Sequence, residues 1–518
     1  LWMATLVSNT GSWMHDIGAG WLMTSLAPTP VMVALVQTAT TLPVFLLAMP
    51  AGALADILDR RRYLIVVQCW LAAVAACLSI VTLLGLTSAW LLVALTFAMG
   101  IGTAMMLPAW AAVTPEVVPR KELPAAIALN SMGMNTARAI GPAIAGVVVA
   151  AAGAGAVFAL NAVSYVAVIY VLFRWQRQHA PTNLPAERFF TALRTGARFA
   201  RHAPALHAAA FRGLGFFLFA SASWALLPLV ARTQVGGGPQ TFGVLVACIG
   251  LGAVSGAVLL PSLRQRYSRD VVVAVATVLY ALAMLGLARL QQLAPLCIAM
   301  LVSGAAWIAV LSSLQVAAQL ALPNWVRSRG LAVFMCVFMG SMAGGSLLWG
   351  YVAQQSSIQH ALSSAAVGAI ITIALTWRWK LTGIENSDLS PSMHWPEPMV
   401  SSEVAPDRGP VMVTVKYAVQ AAHTADFLRT VRQMGTHRRR DGAYAWGIYE
   451  DTTQPGHYLE YFLVESWLEH LRQHERVTHE DRLLQEQLQT YLVPGSKLEI
   501  THFVAPELQV QENMSSRP

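Results

Sequence analysis

From residue 1 to residue 380 the sequence repeats one pattern: long apolar runs broken by short polar or Gly/Pro punctuation. A helix crossing a bilayer needs about 20 mostly apolar residues, since it rises only about 1.5 Å per residue and must satisfy every backbone polar group internally. The runs lie near 1–25, 31–54, 63–86, 89–112, 123–151, 155–173, 207–231, 241–263, 271–289, 293–320, 329–353 and 360–379, so twelve spans are expected. Most joining turns are short, Ala27-Pro28-Thr29-Pro30 among them, but 174–206 forms a long connection between spans six and seven. The chain begins at Leu1, already apolar; no cleavable signal peptide is read, and a short polar lead-in is expected to be missing.

Composition agrees. Hydrophobic residues make up 56% of the chain and charged residues 12%, about half the usual share of a soluble protein, which excludes a single soluble enzyme and a disordered scaffold. Only seven acidic side chains (Asp16, Asp56, Asp59, Glu116, Glu122, Glu187, Asp270) precede residue 381; the other nineteen follow. A membrane-embedded part therefore precedes a short water-soluble part. Cys69, Cys77, Cys248, Cys297 and Cys336 all sit in apolar runs without ligand spacing and read as small buried hydrophobes. No metal site and no cofactor is expected.

With the N-terminus inside, the inner loops collect Arg60, Arg61, Arg62, Arg120, Lys121, Arg264, Arg266, Arg269, Arg327, Arg329, Arg378, Lys380 and six arginines of the middle connection (Arg174, Arg177, Arg188, Arg194, Arg198, Arg201). The outer loops receive Arg232 and Arg289. That bias places both termini in the cytoplasm and accounts for the basic balance without a nucleic-acid partner. Phe189-Phe190, Leu193 and Phe199 give the connection an amphipathic stretch suited to the membrane surface.

The two halves match at an offset of 204 residues: Gly11 with Gly215, Gly52 with Gly256, Gly100 with Gly304, Pro119 with Pro323, Gly141 with Gly345 and Gly146 with Gly350. Two like-oriented six-helix halves describe a secondary transporter whose site lies between them at mid-membrane. At this point the sequence resembles the major facilitator superfamily. Gly52-Ala53-Leu54-Ala55-Asp56-Ile57-Leu58-Asp59-Arg60-Arg61-Arg62 is similar to its loop motif between spans two and three, departing from it at Ile57 and Asp59, where arginine and glycine are usual. Ala139-Ile140-Gly141-Pro142-Ala143-Ile144-Ala145-Gly146 is similar to the Gly-Pro motif of exporter branches, where Gly and Pro bend the helix and admit its neighbours; simple small-residue packing is the other reading. Thr96 stands where many proton-coupled members carry arginine, which puts that route of coupling in doubt.

Ionisable residues within a span cost roughly 2.5–3.5 kcal/mol on insertion scales and are functional candidates by default. His15 and Asp16 in span one and Arg138 in span five stand out. Asp16 shares a helical face with Thr5, Asn9 and Ser12, and Arg138 with Ser131, Asn135 and Pro142, so two polar stripes are expected to line a wet cavity. In the sharper reading Asp16 carries a proton during transport, with Arg138 as its charge partner or as an anchor for an anionic substrate; a structural ion pair is the alternative. Trp13, Trp21, Trp110, Trp224, Trp307, Met105, Met106, Met335 and Met339 are expected around the cavity, suiting a bulky, partly apolar solute. No lysine follows a glycine, so no phosphate-binding Gly-Lys-Ser/Thr loop exists and an ion gradient is the expected energy source.

A Ser/Pro/Glu-rich linker follows Lys380, and then the period changes. Val411, Val413, Val415, Tyr417 and Val419 alternate as a strand; Asp426–Met434 has helical spacing; Tyr444–Asp451 and Tyr458–Glu465 read as a strand pair; Ser466 caps a helix continued to about Leu492; Leu498–Val504 closes as a strand. That order, βαββαβ, is the ferredoxin-like arrangement and resembles the dimeric domains of the antibiotic-biosynthesis monooxygenase type. Trp446 with His470 or His474 would form an oxygenase-like pocket, and His470 and His474 could together hold a metal, but a solvated or dimer-contact face is the preferred reading. Over nearly the whole chain, including Arg440-Asp441-Gly442-Ala443-Tyr444 and the run 466–476, the sequence resembles the transmembrane secretion effector family.

The expected protein is thus an all-α membrane protein, with a twelve-helix major facilitator fold in two six-helix pseudo-repeats (1–173 and 207–380), a connector at 174–206, a flexible linker at 381–409, a small α+β ferredoxin-like domain at 410–506 and a tail at 507–518. The resemblance implies export of a small drug-like or siderophore-like molecule, proton-coupled, across a bacterial inner membrane, with the soluble domain regulating or dimerising the transporter. An importer of the same fold and a transporter–oxygenase fusion are the alternatives.

Overall fold

The computed structural model describes residues 2–111, 113, 117–118, 122–175, 199–323, 325–381, 392, 395, 404–496 and 498–506. The chain forms two compact units. The first comprises Leu1–Phe189, Ala205–Gln319 and Leu331–Thr382; the second comprises Phe190–Pro204, Leu320–Gly330 and Gly383–Pro518. The two expected halves therefore do not separate as units but pack as one. The amphipathic stretch of the connector, up to Phe199, and most of the linker and tail lie outside the described residues.

The first unit is helical: α1 Trp2–Leu26, α2 Pro30–Ile57, α3 Arg60–Leu83, α4 Ala89–Ala111, α5 Leu123–Arg174, α6 Pro204–Thr233, α7 Pro239–Arg266, α8 Arg269–Arg289, α9 Leu293–Leu320, α10 Arg327–Gln355 and α11 Ile358–Thr376. Local chemistry sets their ends. Pro30 and Pro239 open α2 and α7, where a missing N–H costs nothing. Asp59, the departure from the loop motif, accepts the Arg62 backbone N–H at 2.9 Å as N-cap of α3. Gly153 breaks α5 with φ 78°, a conformation glycine takes without Cβ strain, and so separates runs five and six.

Among the described residues, ten helical segments are long and apolar enough to cross a membrane. Helix α1, interrupted by Asn9, His15 and Asp16, falls outside that number. The outer surface of the bundle is oily, with Val66, Val163, Val258 and Ile298 all more than 60% exposed. Such a surface is stable in hydrocarbon and the chain is a multi-pass membrane protein. The cysteines depart from expectation: Cys69 and Cys77 are exposed on α3 and none of the five is fully buried. In a membrane protein an apolar run predicts contact with lipid as readily as burial.

The offset of 204 has a structural meaning. A Cβ on Gly11 would meet Asn161 and Ser164 of the second part of α5, and one on Gly215 would meet Thr372 of α11. Gly100 abuts Ala39 and Pro43 of α2, and Gly304 abuts Ile249 of α7. Gly141 lies against Thr10 and Trp13 of α1, and Gly345 against Leu218 and Ser221 of α6. Gly146 touches the start of α7 at Pro239, and Gly350 the start of α2 at Pro30. Each of these pairs thus places a glycine at equivalent helix crossings, within the halves or, for Gly146 and Gly350, between them, where a neighbouring segment comes too close for a larger side chain. Gly52 is an exception, since no described atom lies within 4 Å of its would-be Cβ, whereas Gly256 packs on Ala305.

In the second unit a four-stranded antiparallel sheet runs in the order β2-β3-β1-β4, from β1 Val411–Ala418, β2 Ala445–Glu450, β3 His457–Val464 and β4 Glu499–Val504. Helix α12 Thr424–Arg440 joins β1 to β2; α13 Trp467–Arg476 and α14 His479–Thr490 join β3 to β4. Two helices, not one, thus precede the last strand. Val477 breaks the stretch, and Thr478 opens α14 with a reciprocal capping box to Asp481. The core gathers Val415, Tyr417, Phe427, Val431, Met434 and Leu488. Its buried carboxylate, Glu460, is satisfied by the Tyr417 hydroxyl (2.7 Å), the Trp446 indole N–H (2.9 Å) and Arg438 Nε (3.4 Å). Burial, with the Glu460 charge beside it, pushes the Tyr417 hydroxyl well above its ordinary range. Also in this unit, Trp325 meets Phe199 edge-on at 5.6 Å and the Arg476 guanidinium at 4.3 Å.

Candidate functional site: a cavity between the helix halves

Inside the first unit lies a cavity of about 280 Å³, close to the lower end of small-molecule pockets. Both repeats build it. The first supplies Trp13 and Asp16 from α1, Gln37, Thr40 and Thr41 from α2, and Arg138 from α5; the second supplies Trp224 from α6, Phe242 and Val246 from α7, Trp307 from α9, and Phe338, Met339 and Met342 from α10. Asp16 is exposed although it sits in the middle of a 25-residue helix, because α1 turns that face toward the opening.

Asp16 and Arg138 are not ion-paired. The Arg138 guanidinium lies 5.4 Å from the centre of the Trp13 ring, and its buried Nε has no hydrogen-bond partner among the described residues. Indole faces attract cations, so Trp13 holds the arginine without neutralising it. The two charges therefore remain separate polar points on one wall, and the direct pairing expected from sequence does not form. The opposite wall is aromatic: Trp224 lies 6.4 Å from Trp13 and 5.6 Å from Trp307, and Phe338 lies 6.1 Å from Trp307.

Other expected residues lie elsewhere. His15 is buried against Phe158, ring centres 4.7 Å apart, with neither ring nitrogen hydrogen-bonded. Asn9 and Asn135 are half-buried and do not line the cavity, although they share helix faces with residues that do. Met105, Met106 and Trp110 pack onto the cluster of Tyr63, Leu71 and Tyr165 instead, because α4 turns that face to its own half. Trp21 stacks on Phe242 at 6.4 Å and receives Arg232 over its ring at 5.8 Å, and Met335 also lies outside the lining. Conversely, Gln37, Thr40 and Thr41 were legible at spacings of three and four but not singled out.

The motifs bracket this cavity. Gly146 of α5 meets Pro239, Gln240 and Gly243 of α7 at 3.0–3.2 Å from its would-be Cβ, and a Cβ on Gly250 would meet the Arg138 carbonyl at 2.7 Å. The Gly-Pro motif thus joins one half to the other beside the cavity, and Gly141 holds α5 against α1. At the same end, Arg232 donates to Thr24 (3.0 Å) and Ser25 (2.7 Å) across the halves. In the loop motif, Arg61 donates to the carbonyls of Leu172 (2.9 Å) and Phe173 (2.6 Å), capping the C-terminus of α5 where helix dipole and cation agree. Arg60 flanks it at the first position of α3. Asp56 lies in α2, with its side chain outside the described residues. Thr96 is buried in α4, and its hydroxyl has no hydrogen-bond partner among the described residues.

In the second unit, Trp446 turns its N–H to Glu460, and the cavity beside His437 and Gln473 measures about 10 Å³, room for one water at most. His437 Nδ1 (2.6 Å), Arg440 (3.1 Å) and the Thr478 backbone N–H (2.8 Å) converge on Asp481, and outweigh burial to hold its carboxyl well below the usual range.

Solved transporters share this architecture. A POT family transporter in complex with 5-aminolevulinic acid superposes with a TM-score of 0.58 at 13% identity, covering 73% of this chain and 96% of that one. A bacterial homolog to the human lysosomal transporter Spinster, in an inward-facing and unoccupied conformation, gives 0.54 at 12% identity, covering 74% and 96%. These likenesses show the fold. In sequence the chain is 25% identical over 287 residues to the staphyloferrin A transporter of Staphylococcus aureus (strain NCTC 8325 / PS 47), covering 53% of this chain and 70% of that protein. It is 26% identical over 286 residues to the enterobactin exporter EntS of Salmonella choleraesuis (strain SC-B67), covering 54% and 67%. An uncharacterized MFS-type transporter of Bacillus subtilis (strain 168), YfiS, matches at 25% over 205 residues, covering 39% of this chain and about half (48%) of its own length. The profile of the transmembrane secretion effector family matches residues 1–510, and the chain belongs to that family.

Proposed function

We propose that the protein is a secondary active exporter of a small molecule, working by alternating access. One observation carries the reading: a cavity of about 280 Å³ walled by both halves of a duplicated bundle. Helices from the two repeats cross near the Arg232 end through Gly146, Gly243 and Gly350, so rocking the halves about those glycines would expose the cavity to either side. All twelve sequence segments cross the membrane in this reading, α1 included. The basic bias of the inner loops supports an orientation with both termini in the cytoplasm and a bacterial inner membrane as the location.

The solute is an anion with aromatic or other flat apolar parts. Arg138, resting on the Trp13 indole face, attracts negative charge, and Trp224, Trp307 and Phe338 supply stacking surface. The matched siderophore transporters support that class. Asp16 is the proton carrier, since it is the one carboxylate among the cavity residues and faces open space. The sheet order β2-β3-β1-β4 supports a ferredoxin-like tail domain, non-enzymatic, that regulates or dimerises the transporter.

Inverted membrane vesicles test this directly. Imposing a proton gradient should drive accumulation of an anionic catecholate or carboxylate siderophore, and Arg138→Gln should raise the half-saturating concentration at least about tenfold, the cost of one charge-assisted hydrogen bond. Accumulation only in right-side-out vesicles would instead make the protein an importer.

A further inference from the structure

The tail domain brings together a residue set that the helix alone does not complete. His470 and His474 lie one turn apart on α13, with their Nε2 atoms 3.4 Å apart. His502 of β4 closes on them, its ring centre 4.8 Å from that of His470, and one nitrogen from each of the three lies within 4.8 Å of the others. His470 is 1% exposed, so its ring is enclosed by the domain. Trp467 (5.3 Å from His470) and Trp395 (5.1 Å from His474) wall the cluster with rings.

We propose that His470, His474 and His502 form a binding site for a divalent first-row transition metal of the zinc class, with a fourth position open to water or an external ligand. Zinc–imidazole bonds of about 2.0–2.1 Å place neighbouring nitrogens of a tetrahedron about 3.4 Å apart, the separation of the α13 pair. His502, half-buried on a strand, offers the third vertex, and a side-chain adjustment would bring its nitrogen to coordinating distance. The donor set selects the metal class. Three imidazoles suit zinc, copper, nickel or cobalt; magnesium and calcium require oxygen ligands, and the nearby carboxylate of Glu469 is engaged by Arg476 and Arg472. Sequence spacing offered only the i, i+4 pair, because β4 lies some thirty residues farther along the chain. The site departs from the metal-free expectation for this chain, and it stands whether or not the proposed transport reading does.

Cobalt(II) is the probe. The full-length protein, purified in detergent without an oligohistidine tag and stripped with chelator, is titrated with cobalt(II) and then zinc(II). Binding of one cobalt per chain, with the intense visible bands of tetrahedral coordination and stoichiometric displacement by zinc, is expected. His470 is embedded in packing, so the variants are His474→Gln and His502→Gln, both at half-buried positions. Each should weaken binding at least about 100-fold, beyond what loss of a merely supporting group produces, while the far-ultraviolet circular dichroism stays as in the unaltered protein. Pale octahedral spectra, absence of a bound metal, or an affinity unchanged in both variants would overturn the site.

Discussion

A buried ion pair in the second half, Arg212 with Asp270, offers the sharpest test of how the bundle is held. The Arg212 guanidinium lies 2.9 Å from Asp270, and the two side chains are 4% and 5% exposed. Arg212 Nε also donates to the Trp379 carbonyl at 2.8 Å, while Asp270 accepts the Leu381 backbone N–H at 3.0 Å. Three segments meet there: α6, the first turn of α8 and the chain just beyond α11. Asp270→Ala strands a guanidinium without its counter-charge, a loss of about 3–5 kcal/mol. Asp270→Asn retains an acceptor for Leu381 and should lose about 1.5–3 kcal/mol, the range of a hydrogen bond to a charged group. The double replacement Arg212→Met with Asp270→Leu removes both charges and should recover most of the loss, since apolar substitutes for a buried pair are often neutral or better. Equilibrium unfolding in mixed detergent–denaturant micelles, followed by tryptophan fluorescence, measures all four proteins. If either single replacement costs less than about 1 kcal/mol, or the double variant loses as much as Asp270→Ala, the pair is not the clasp described.

Further outcomes follow from the cavity and the tail. Asp16→Asn should abolish the pH dependence of solute flux while leaving the protein folded; full activity with an unchanged pH profile would remove Asp16 from coupling. Gly146→Val puts a branched side chain where a Cβ already meets backbone at 3.0–3.2 Å and should disfavour closure at the Arg232 end by about 1–3 kcal/mol. A cysteine placed at Ser25 in a background lacking the native thiols would then react faster with an impermeant reagent, whereas an unchanged rate would mean that the crossing does not gate. In the tail, Asp481 has a folded carboxyl value below its unfolded one, so its stabilisation is complete above about pH 4 and fades as pH falls further. The thermal stability of the tail, read by near-ultraviolet circular dichroism, should therefore fall as the pH drops below about 4, and Asp481→Asn should flatten that dependence at a cost of about 3 kcal/mol at neutral pH. An equally steep acid response in the variant would place the sensitivity elsewhere.

Much of the helical architecture was legible because the bilayer leaves few alternatives: an apolar run of sufficient length, bounded by Pro30 or capped by Asp59, becomes a helix whatever surrounds it. The repeat was legible for a related reason. Where two backbones touch, only glycine fits, so Gly141 and Gly345, or Gly146 and Gly350, mark equivalent crossings in the chain itself. Strands of the tail announced themselves by alternation, from Val411 to Val419, for β1 buries one face against helices. Side-chain partners were less legible. Asp16 and Arg138 carry opposite charges on two polar stripes, yet Trp13 intervenes; His15, next to Asp16, points away because adjacent residues on a helix are about 100° apart.

Sequence alone determined what must leave water: the positions of the spans, the basic bias of the loops, the glycines at which helices cross and the change of period that starts the tail. Tertiary structure alone decided which polar groups face one another. It set Trp13 beneath Arg138, joined Arg212 to Asp270 and brought His502 to His470 and His474. Hydrophobic burial is written in local periodicity and can be read residue by residue. A hydrogen bond or metal bond depends on distances of a few ångströms between segments remote in the chain, and only the packed fold fixes those.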